Sequence, residues 1–429
     1  MFLNENLFYW SVRTETCYSF IHQSVQEFFA ALYYVLDDSF GKEEGTSGAR
    51  EEHSLPEICK GQSLRALSSQ YPHLALAVQF LFGLLNENQV KTFSEITGIN
   101  ISLRVKSAIK EWTVKDFDGS SPIHAIVCLY ETQDEDFIGS ILSGCSHLRV
   151  DGSLSHYLWR DSNYSKQLSY CLKTLKSERF QDLRFEWLTV DPECQKNISP
   201  LLHRCQTVWF ENCTFQKRYG TSFLRKDKTG DEEEEFSSLK DKMKLVNLSW
   251  LINPESKIEE LGLIGCGLTS SCSNDLHSIL ITNPSLIKLD LSVNYLQDSG
   301  IKLLCDGLKD SSCTLQDLSL FGNNLTEGSS IHLASAIRNN QTLRKLDLSG
   351  NNLEGPHFSD LMTAVTTSRI EQLLLNSNKL EHTSCGVLAR EIGKLQTLRK
   401  LDLSSNNLRG PFFSNLMKAL TTTQIEELM

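Results

Sequence analysis

The sequence predicts an α + α/β protein, in which a helical domain is followed by a solenoid of alternating short strands and helices. Three observations predict it. A leucine pattern, L-x-x-L-x-L-x-x-N-x-L, recurs from residue 258 onward in steps of 27 to 29 residues. Residues 1–176 carry successive helical patterns and lack this ladder. The 429 residues are 40% hydrophobic and 22% charged, which is typical of a folded globular chain.

The first element is an amphipathic helix within residues 1–36. The segment from Tyr18 to Leu36 reads YSFIHQSVQEFFAALYYVL. Its large apolar side chains recur at helical spacing and predict one buried stripe. They are Ile21, Val25, Phe28, Phe29, Leu32 and Val35. Residues 37–176 continue with helical patterns, so we expect a helical domain there.

The second element, residues 177–257, is a transition into the repeats. Two degenerate copies of the leucine pattern begin at Phe180 and Cys205. From Cys205 to Ile258 there are 53 residues, close to two periods. The interval holds a charged insert, 217–244, in which a basic run (217–228) precedes the acidic run DEEEE (231–235). Such runs predict a solvated loop, with a regulatory or partner-binding loop as the alternative.

The third element, residues 258–429, is an array of leucine-rich repeats. The first positions of the copies are 258, 286, 315, 343, 370, 398 and 425. In each copy the period-2 leucines predict a short strand, after which a helix returns. An Asn turns the chain in the five copies that begin at residues 286 to 398, and Cys266 stands at that position in the first copy. We expect the Asn amide to bond the backbone of its own turn and of the neighbouring repeat. The last copy begins at Ile425, and we expect an exposed apolar edge there that includes Leu428.

The outward positions of the strands stack into columns on the face that such arrays use to hold partners. The first column is Ile287, Gln316, Arg344, Glu371 and Arg399. The second is Lys288, Asp317, Lys345, Gln372 and Lys400, and the third is Asp290, Ser319, Asp347, Leu374 and Asp402. The ten charged members, Lys288, Asp290, Asp317, Arg344, Lys345, Asp347, Glu371, Arg399, Lys400 and Asp402, are the candidate partner-binding residues. Two interpretations remain open: a solvated face with ion pairs of little energetic value, or a polar protein-binding surface with few aromatic side chains.

The N-terminal part of the chain resembles a known receptor family. The residues F-I-H-x-S-x-Q-E-F-x-A-A, from Phe20 to Ala31, resemble the end of the winged-helix domain of NOD-like receptors. The segments FLFGLLNE (80–87), CLYETQDEDF (128–137) and QLSYCLKTL (167–175) resemble the second helical domain of the NLRP-type branch, whose members carry NACHT, LRR and pyrin domains. The resemblance assigns residues 1–36 to the winged-helix end and 37–176 to the helical domain. It also implies a ribonuclease-inhibitor-like horseshoe of repeats that is truncated at its C-terminus.

The resemblance also implies a role for His22. In the family the matching histidine contacts the nucleotide phosphate, which is chemically sensible for an imidazole. This sequence contains no G-x-x-x-x-G-K-[ST] phosphate-binding loop, so it resembles a fragment that lacks the NACHT module. We therefore expect no cofactor in this chain, and ATP or ADP only in a full-length receptor. A structural role at the start of the helix is the alternative for His22.

Several function classes find no support in the sequence. No G-x-S-x-G, H-E-x-x-H or C-x-x-C motif occurs, so we expect neither a catalytic residue nor a metal ligand. The formal net charge of −11 does not favour nucleic acid as a partner. The longest apolar stretch, Leu74 to Leu85, is shorter than the roughly 20 residues that span a bilayer. The 13 cysteines are expected to be reduced and mostly buried.

Two functional hypotheses follow. In the first, the chain is the protein-interaction and sensing part of a cytoplasmic NOD-like innate-immune receptor. Its repeats would recognise a ligand and keep the receptor inhibited, and its partners would be copies of itself or signalling proteins. In the second, the chain is a free-standing leucine-rich-repeat scaffold, inhibitor or decoy without nucleotide switching.

Overall fold

The computed structural model describes most of the repeat region and a smaller share of the N-terminal part. The described residues are 3–10, 13–20, 23–35, 72–99, 106, 109–111, 113, 123–142, 147–152, 164–174, 180–215, 246–421 and 423–429. The chain divides into two compact units, Met1–Ser177 and Glu178–Met429.

The first unit is mainly helical. It opens with an antiparallel hairpin of β1 (Leu3–Trp10) and β2 (Arg13–Phe20), paired from Leu3↔Phe20 to Trp10↔Arg13. The helical patterns did not predict this hairpin, although both strands are rich in the aromatic residues and threonines that favour strands. The helices are α1 (Gln23–Val35), α2 (Pro72–Gly83), α3 (Glu87–Thr97), α4 (Ile123–Thr132), α5 (Glu135–Leu142) and α6 (Tyr164–Lys173), and β3 spans His147–Asp151.

The core of the first unit lies where α1, α2, α4 and α6 pack together. Phe82, Ile126 and Leu129 are fully buried there. The Phe28 ring of α1 meets the Phe80 ring of α2 edge to face, with the centroids 5.6 Å apart. The buried stripe predicted for α1 is wrong at Phe29, which is 48% exposed because it lies about 100° around the helix from Phe28.

The second unit is built around one parallel sheet. Its neighbouring strands are, in order, β4 (Phe180–Glu186), β6 (Cys205–Glu211), β8 (Glu260–Ile264), β9 (Lys288–Asp290), β10 (Asp317–Ser319), β11 (Lys345–Asp347), β12 (Gln372–Leu374), β13 (Lys400–Asp402) and β14 (Glu427–Leu428). Two shorter strands, β5 (Thr189–Val190) and β7 (Thr214–Phe215), pair separately. The helices that return between strands are α7 (Pro192–Leu202), α8 (Ser273–Thr282), α9 (Gln297–Leu308), α10 (Glu327–Asn339), α11 (Phe358–Thr366), α12 (His382–Glu391) and α13 (Phe413–Leu420).

Leucine burial and asparagine hydrogen bonds join the repeats as the pattern predicts. Leu289, Leu318, Leu346 and Leu373 lie at equivalent strand positions and have no exposed surface. The regular spacing of the motif also places an Asn in the turn of each of the five copies from residue 286 to residue 408. Asn351, for example, donates from Nδ2 to the Leu320 carbonyl of the preceding repeat at 3.0 Å and to that of Leu348 at 2.9 Å. These bonds satisfy carbonyl groups that would otherwise be buried without partners.

The 53 residues between Cys205 and Ile258 are close to two periods, but they do not correspond to two steps along the sheet. β6 pairs directly with β8, with Val208 opposite Leu261 and Phe210 opposite Leu263, so the charged insert adds length between neighbouring strands. A buried histidine joins the two flanks of the insert. His203 Nδ1 lies 3.2 Å from Ser256 Oγ, and His203 Nε2 lies 3.3 Å from the Trp250 carbonyl oxygen. The insert itself, 217–244, lies outside the described residues.

The last repeat exposes apolar side chains that are buried in the repeat two periods earlier. Phe358 and Met362 on α11 have no exposed surface, whereas Phe413 on α13 is 41% exposed and Met417 is 47% exposed. Leu428 of β14 is 47% exposed, as predicted for this edge, while Ile425 is half-buried. The equivalent faces of α11 and α13 therefore differ in exposure, because α12 packs over the apolar face of α11.

Candidate protein-binding surface

The ten charged residues predicted from the sequence lie on one face of the parallel sheet. Strand register aligns Lys288, Asp317, Lys345, Gln372 and Lys400 in one column. It aligns Asp290, Ser319, Asp347, Leu374 and Asp402 in another. Residues 287, 316, 344, 371 and 399, which precede the strands, form the remaining column. We call these three columns the strand face; their side chains are half-exposed or exposed. His22 lies outside the described residues.

The cations of the strand face are held by acids of neighbouring repeats. Nζ of Lys288, Lys345 and Lys400 lies 3.3, 3.0 and 2.6 Å from a carboxylate oxygen of Glu260, Asp317 and Glu427 respectively. Arg344 pairs with Glu371 at 3.6 Å, and Arg399 pairs with Glu426 at 3.7 Å. Because both partners are partly exposed, each pair contributes little to stability, typically about 0–1 kcal/mol. These pairs chiefly orient the side chains that a partner would meet.

The third column carries three aspartates in a different environment. Asp290, Asp347 and Asp402 each accept a hydrogen bond at 2.9 Å through Oδ1 from the backbone N–H two residues later. This is the Asx turn that ends the strand. Within the described residues, none of the three carboxylates forms an ion pair. The sequence predicted these residues as part of the face but did not separate them from the paired charges.

Trp209 is a buried residue that continues the third column beyond the strand face, and the sequence did not predict it. It lies opposite Gly262 in the register, and a Cβ added at Gly262 would lie 2.1 Å from the indole ring. Lys288 Nζ lies 5.0 Å from the ring centroid, and Arg184 Cζ lies 5.6 Å from it. Such cation–π contacts contribute about 0.5–2 kcal/mol. The sequence does indicate this contact, because Trp209 occupies an outward strand position and the next repeat has Gly262 at the equivalent position.

Exposed apolar residues border the strand face at the turns after β9 and β10. Val293, Tyr295 and Phe321 are 51%, 49% and 38% exposed, and we call them the turn patch. The N–H of Val293 donates to the Phe321 carbonyl at 2.8 Å, which joins the two turns. The three columns carry few aromatic side chains, as expected, and the exposed aromatic residues lie beyond the strand ends, where period-2 patterning does not locate them.

The described residues offer little other chemistry. No group of three or more His, Cys, Asp or Glu residues able to hold a metal ion occurs among them. Nine of the ten cysteines whose side chains the structure describes are buried. Burial raises the pKa of the Cys205 and Cys213 thiols to about 12, so these thiols are poor nucleophiles at neutral pH. Over the same residues, no helix has the length and apolar character needed to cross a bilayer.

Comparison with known proteins identifies the relatives of the chain. The family described as NLRC4 helical domain HD2 matches residues 22–140, and the leucine-rich-repeat family matches residues 282–305, 339–356 and 394–411. Human NACHT, LRR and PYD domains-containing protein 12 is 31% identical over 95% of this chain and 38% of its own length. NACHT, LRR and PYD domains-containing protein 3 from Rattus norvegicus is 28% identical over 95% of this chain and 41% of its own length. The chain is similar to NLRP-type NOD-like receptors along 95% of its length.

The chain spans about two fifths of the length of the curated relatives that it matches. Human NACHT, LRR and PYD domains-containing protein 14 matches in the same way, with 29% identity over 95% of this chain and 36% of its own. Among solved structures, the crystal structure of a TLR13–ssRNA13 complex overlaps 68% of this chain and 36% of that one, with 17% identity and a TM-score of 0.36. That overlap is too weak to support an inference about fold or ligand.

Proposed function

We propose that this chain is the partner-sensing part of a cytoplasmic NLRP-type innate-immune receptor. The observation that carries the proposal is the match to NLRP-type receptors along 95% of the chain. In this account the repeats form a ribonuclease-inhibitor-like horseshoe, and the strand face holds a protein partner. Occupation of that face relieves the inhibition of the receptor, and residues 37–176 pass the change to the nucleotide-binding module.

The charged residues of the strand face support the binding part of this proposal. Their ion pairs run between repeats, so each side chain is held in a defined position before a partner arrives. A preorganised polar face loses less side-chain entropy on binding than a face of freely rotating side chains. The exposed Tyr295 and Phe321 of the turn patch add aromatic side chains of the kind that dominate many interfaces.

We assign each part of the chain to a domain of such a receptor. Residues 1–36 form the end of the winged-helix domain, 37–176 the second helical domain, and 177–257 the transition into the repeats at 258–429. His22 is proposed to contact a nucleotide phosphate only in a receptor that contains a NACHT module. ATP or ADP would then be a ligand of that receptor.

An immunoblot of native tissue with an antibody against residues 217–235 tests whether the chain works inside a receptor. The proposal predicts a band far heavier than the 48.6 kDa of this chain. A band at 48.6 kDa alone would contradict the receptor proposal and would favour a free-standing scaffold or decoy. A peptide-blocked antibody control identifies the specific band.

A further inference from the structure

The strand face combines neutralised cations with aspartates that have no ionic partner. Lys288, Lys345 and Lys400 are each paired with a carboxylate, as are Arg344 and Arg399. In the third column, Asp290, Asp347 and Asp402 have no such partner among the described residues. The exposed charge that remains on this column is therefore negative.

The local structure does not require these three charges. Each aspartate uses only Oδ1, which accepts the turn N–H at 2.9 Å, and Oδ1 of Asp290 also accepts the Ser292 hydroxyl at 2.5 Å. An asparagine oxygen would accept the same bonds. Asn376 follows β12 without an aspartate at the equivalent position, where the column carries Leu374 instead. A carboxylate that can be replaced without breaking its turn is free to meet an external cation.

The three aspartates are regularly spaced. They alternate along the column with Ser319 and Leu374, so an Asp stands on every second strand. Neighbouring strands in a sheet lie about 4.7–4.9 Å apart, which separates successive aspartates by about 10 Å. Two turns of an α-helix rise by about 10.8 Å, so residues seven apart on a helix repeat at nearly the same spacing.

Apolar side chains lie beside this acidic column. Leu374 is half-buried between Asp347 and Asp402, about one helical turn from each. Tyr295 and Phe321 of the turn patch are exposed at the end of the column that carries Asp290. Along the column a partner segment would therefore meet one apolar side chain, Leu374, between two aspartates, and the turn patch lies beyond the strand ends.

We propose that the third column holds an α-helical segment of a partner protein that carries a Lys or Arg at every seventh position. The proposal rests on the proposed function of the strand face as a protein-binding surface and names the chemistry of its partner. Three basic side chains face Asp290, Asp347 and Asp402, and an apolar residue between the last two faces Leu374. A helix can lie on a sheet face because its backbone hydrogen bonds are already formed within the helix. An extended peptide would need a strand with unpaired backbone groups, and strands β9 to β13 are paired on both sides.

The test measures binding of a fluorescein-labelled synthetic helix by anisotropy. The probe carries an arginine at every seventh position and a leucine one turn before the last arginine. Its control has the same composition with the arginines five residues apart, which spreads them around the helix. The protein is the full chain as wild type, as D290N/D347N/D402N, and as the charge-matched variant D306N/D310N/D360N. Asp306, Asp310 and Asp360 of this variant lie on the helix side of the repeats. Asp310 Oδ1 accepts a hydrogen bond from the backbone N–H of Ser312 at 2.8 Å, as the three aspartates of the third column do two residues on.

The proposal predicts that D290N/D347N/D402N binds the seven-spaced probe about tenfold more weakly than wild type, since three exposed pairs of modest strength are lost. D306N/D310N/D360N should bind like wild type, and the five-spaced probe should bind weakly to all three proteins. Equal weakening by both triple variants, or equal binding of both probes, would overturn the proposal. Thermal unfolding followed by circular dichroism confirms that each variant is folded.

The failure of this proposal can be distinguished from failure of the proposed function. If a partner still crosslinks to the strand face while D290N/D347N/D402N leaves its affinity unchanged, the strand face binds protein but the acidic column does not select the partner. If no partner crosslinks to the strand face in any variant, the proposed function itself is wrong.

Discussion

The side chain of Asn351 accepts a hydrogen bond at 3.0 Å from the backbone N–H of Leu325, which belongs to the preceding repeat. The same oxygen accepts the N–H of Asn323 at 3.0 Å, while Nδ2 donates to the Leu320 carbonyl of the preceding repeat and to the Leu348 carbonyl of its own repeat. One amide thus satisfies several buried backbone groups of two repeats. The cohesion of the array depends on such bonds as well as on leucine packing.

We predict that Asn351→Ala destabilises the repeat unit. Because the substitution leaves several buried backbone groups without partners, the free energy of unfolding should fall by about 2–4 kcal/mol. Urea unfolding followed by tryptophan fluorescence or circular dichroism measures the change. Asn352→Ala is the matched control, since Asn352 is adjacent and exposed. Equal effects of the two substitutions would contradict the assigned role of the amide.

Val293 has a backbone conformation that L-residues seldom adopt. Its φ is 58°, whereas the neighbouring repeats place Gly265, Gly322 and Gly350 at the equivalent turn position with φ of 62° to 67°. The left-handed region costs a residue with a Cβ roughly 1–2 kcal/mol. Val293→Gly should therefore raise the free energy of unfolding by up to about 1 kcal/mol after the greater chain entropy of glycine is subtracted.

The reverse substitution, Gly322→Val, provides the control for that prediction. It should lower the free energy of unfolding because it adds the same strain to the next turn. A lower stability of Val293→Gly than of wild type would mean that the valine side chain contributes more through packing than its conformation costs. Chemical denaturation of both variants decides between these results.

The two-period relationship between α11 and α13 offers an internally matched comparison. Met362 is fully buried, whereas its equivalent, Met417, is 47% exposed. Met362→Ala should cost about 2–5 kcal/mol through lost burial and a cavity, and Met417→Ala should cost far less. Thermal or urea unfolding measures both. Similar costs would indicate that the exposed face of α13 is covered in solution.

His203 should make the stability of the repeat unit depend on pH. Burial lowers the pKa of His203 from its usual value of 6.5, and its bond to the Trp250 carbonyl opposes this only in part. The unfolded state therefore binds the proton more readily than the folded state, and stability should fall as pH drops below about 6.5. His203→Gln keeps a polar side chain without this titration.

The measurement for His203 is the free energy of unfolding of wild type and His203→Gln between pH 5 and pH 8. The advantage of wild type over the variant should be largest at high pH and should shrink as the pH falls. A difference that does not change with pH would show that His203 is not titrated on unfolding. His332→Gln serves as a control at another histidine of the repeats.

Several features of this fold and surface were predictable from local residue patterns. The leucine spacing predicted the strands around Leu289 and Leu346, and the Asn position predicted the bridging amides. The columns of the strand face follow from the period of two along each strand. The leucines repeat in every copy and the Asn in the five copies from residue 286 to residue 408, so one physical rule applies to each of these features.

Other features depend on packing between particular side chains and could not be predicted in the same way. Direct pairing of Val208 with Leu261 across the insert is set by the sheet rather than by the number of residues in between. The position of Trp209 depends on the absence of a side chain at Gly262. The turn patch lies beyond the strand ends, where alternation no longer specifies the direction of a side chain. The separation of paired and unpaired aspartates likewise required the three-dimensional contacts.

Site-specific photo-crosslinking tests the central claim most directly. Benzoylphenylalanine is placed at Gln316 on the strand face or at Asn339 on the helix side of the same repeat; both positions are exposed. After irradiation of cells that express the full chain, the account predicts a discrete crosslinked partner protein from Gln316 that D290N/D347N/D402N reduces, and no such product from Asn339. A discrete product from Asn339 with none from Gln316 would contradict the claim that the strand face is the partner-binding surface.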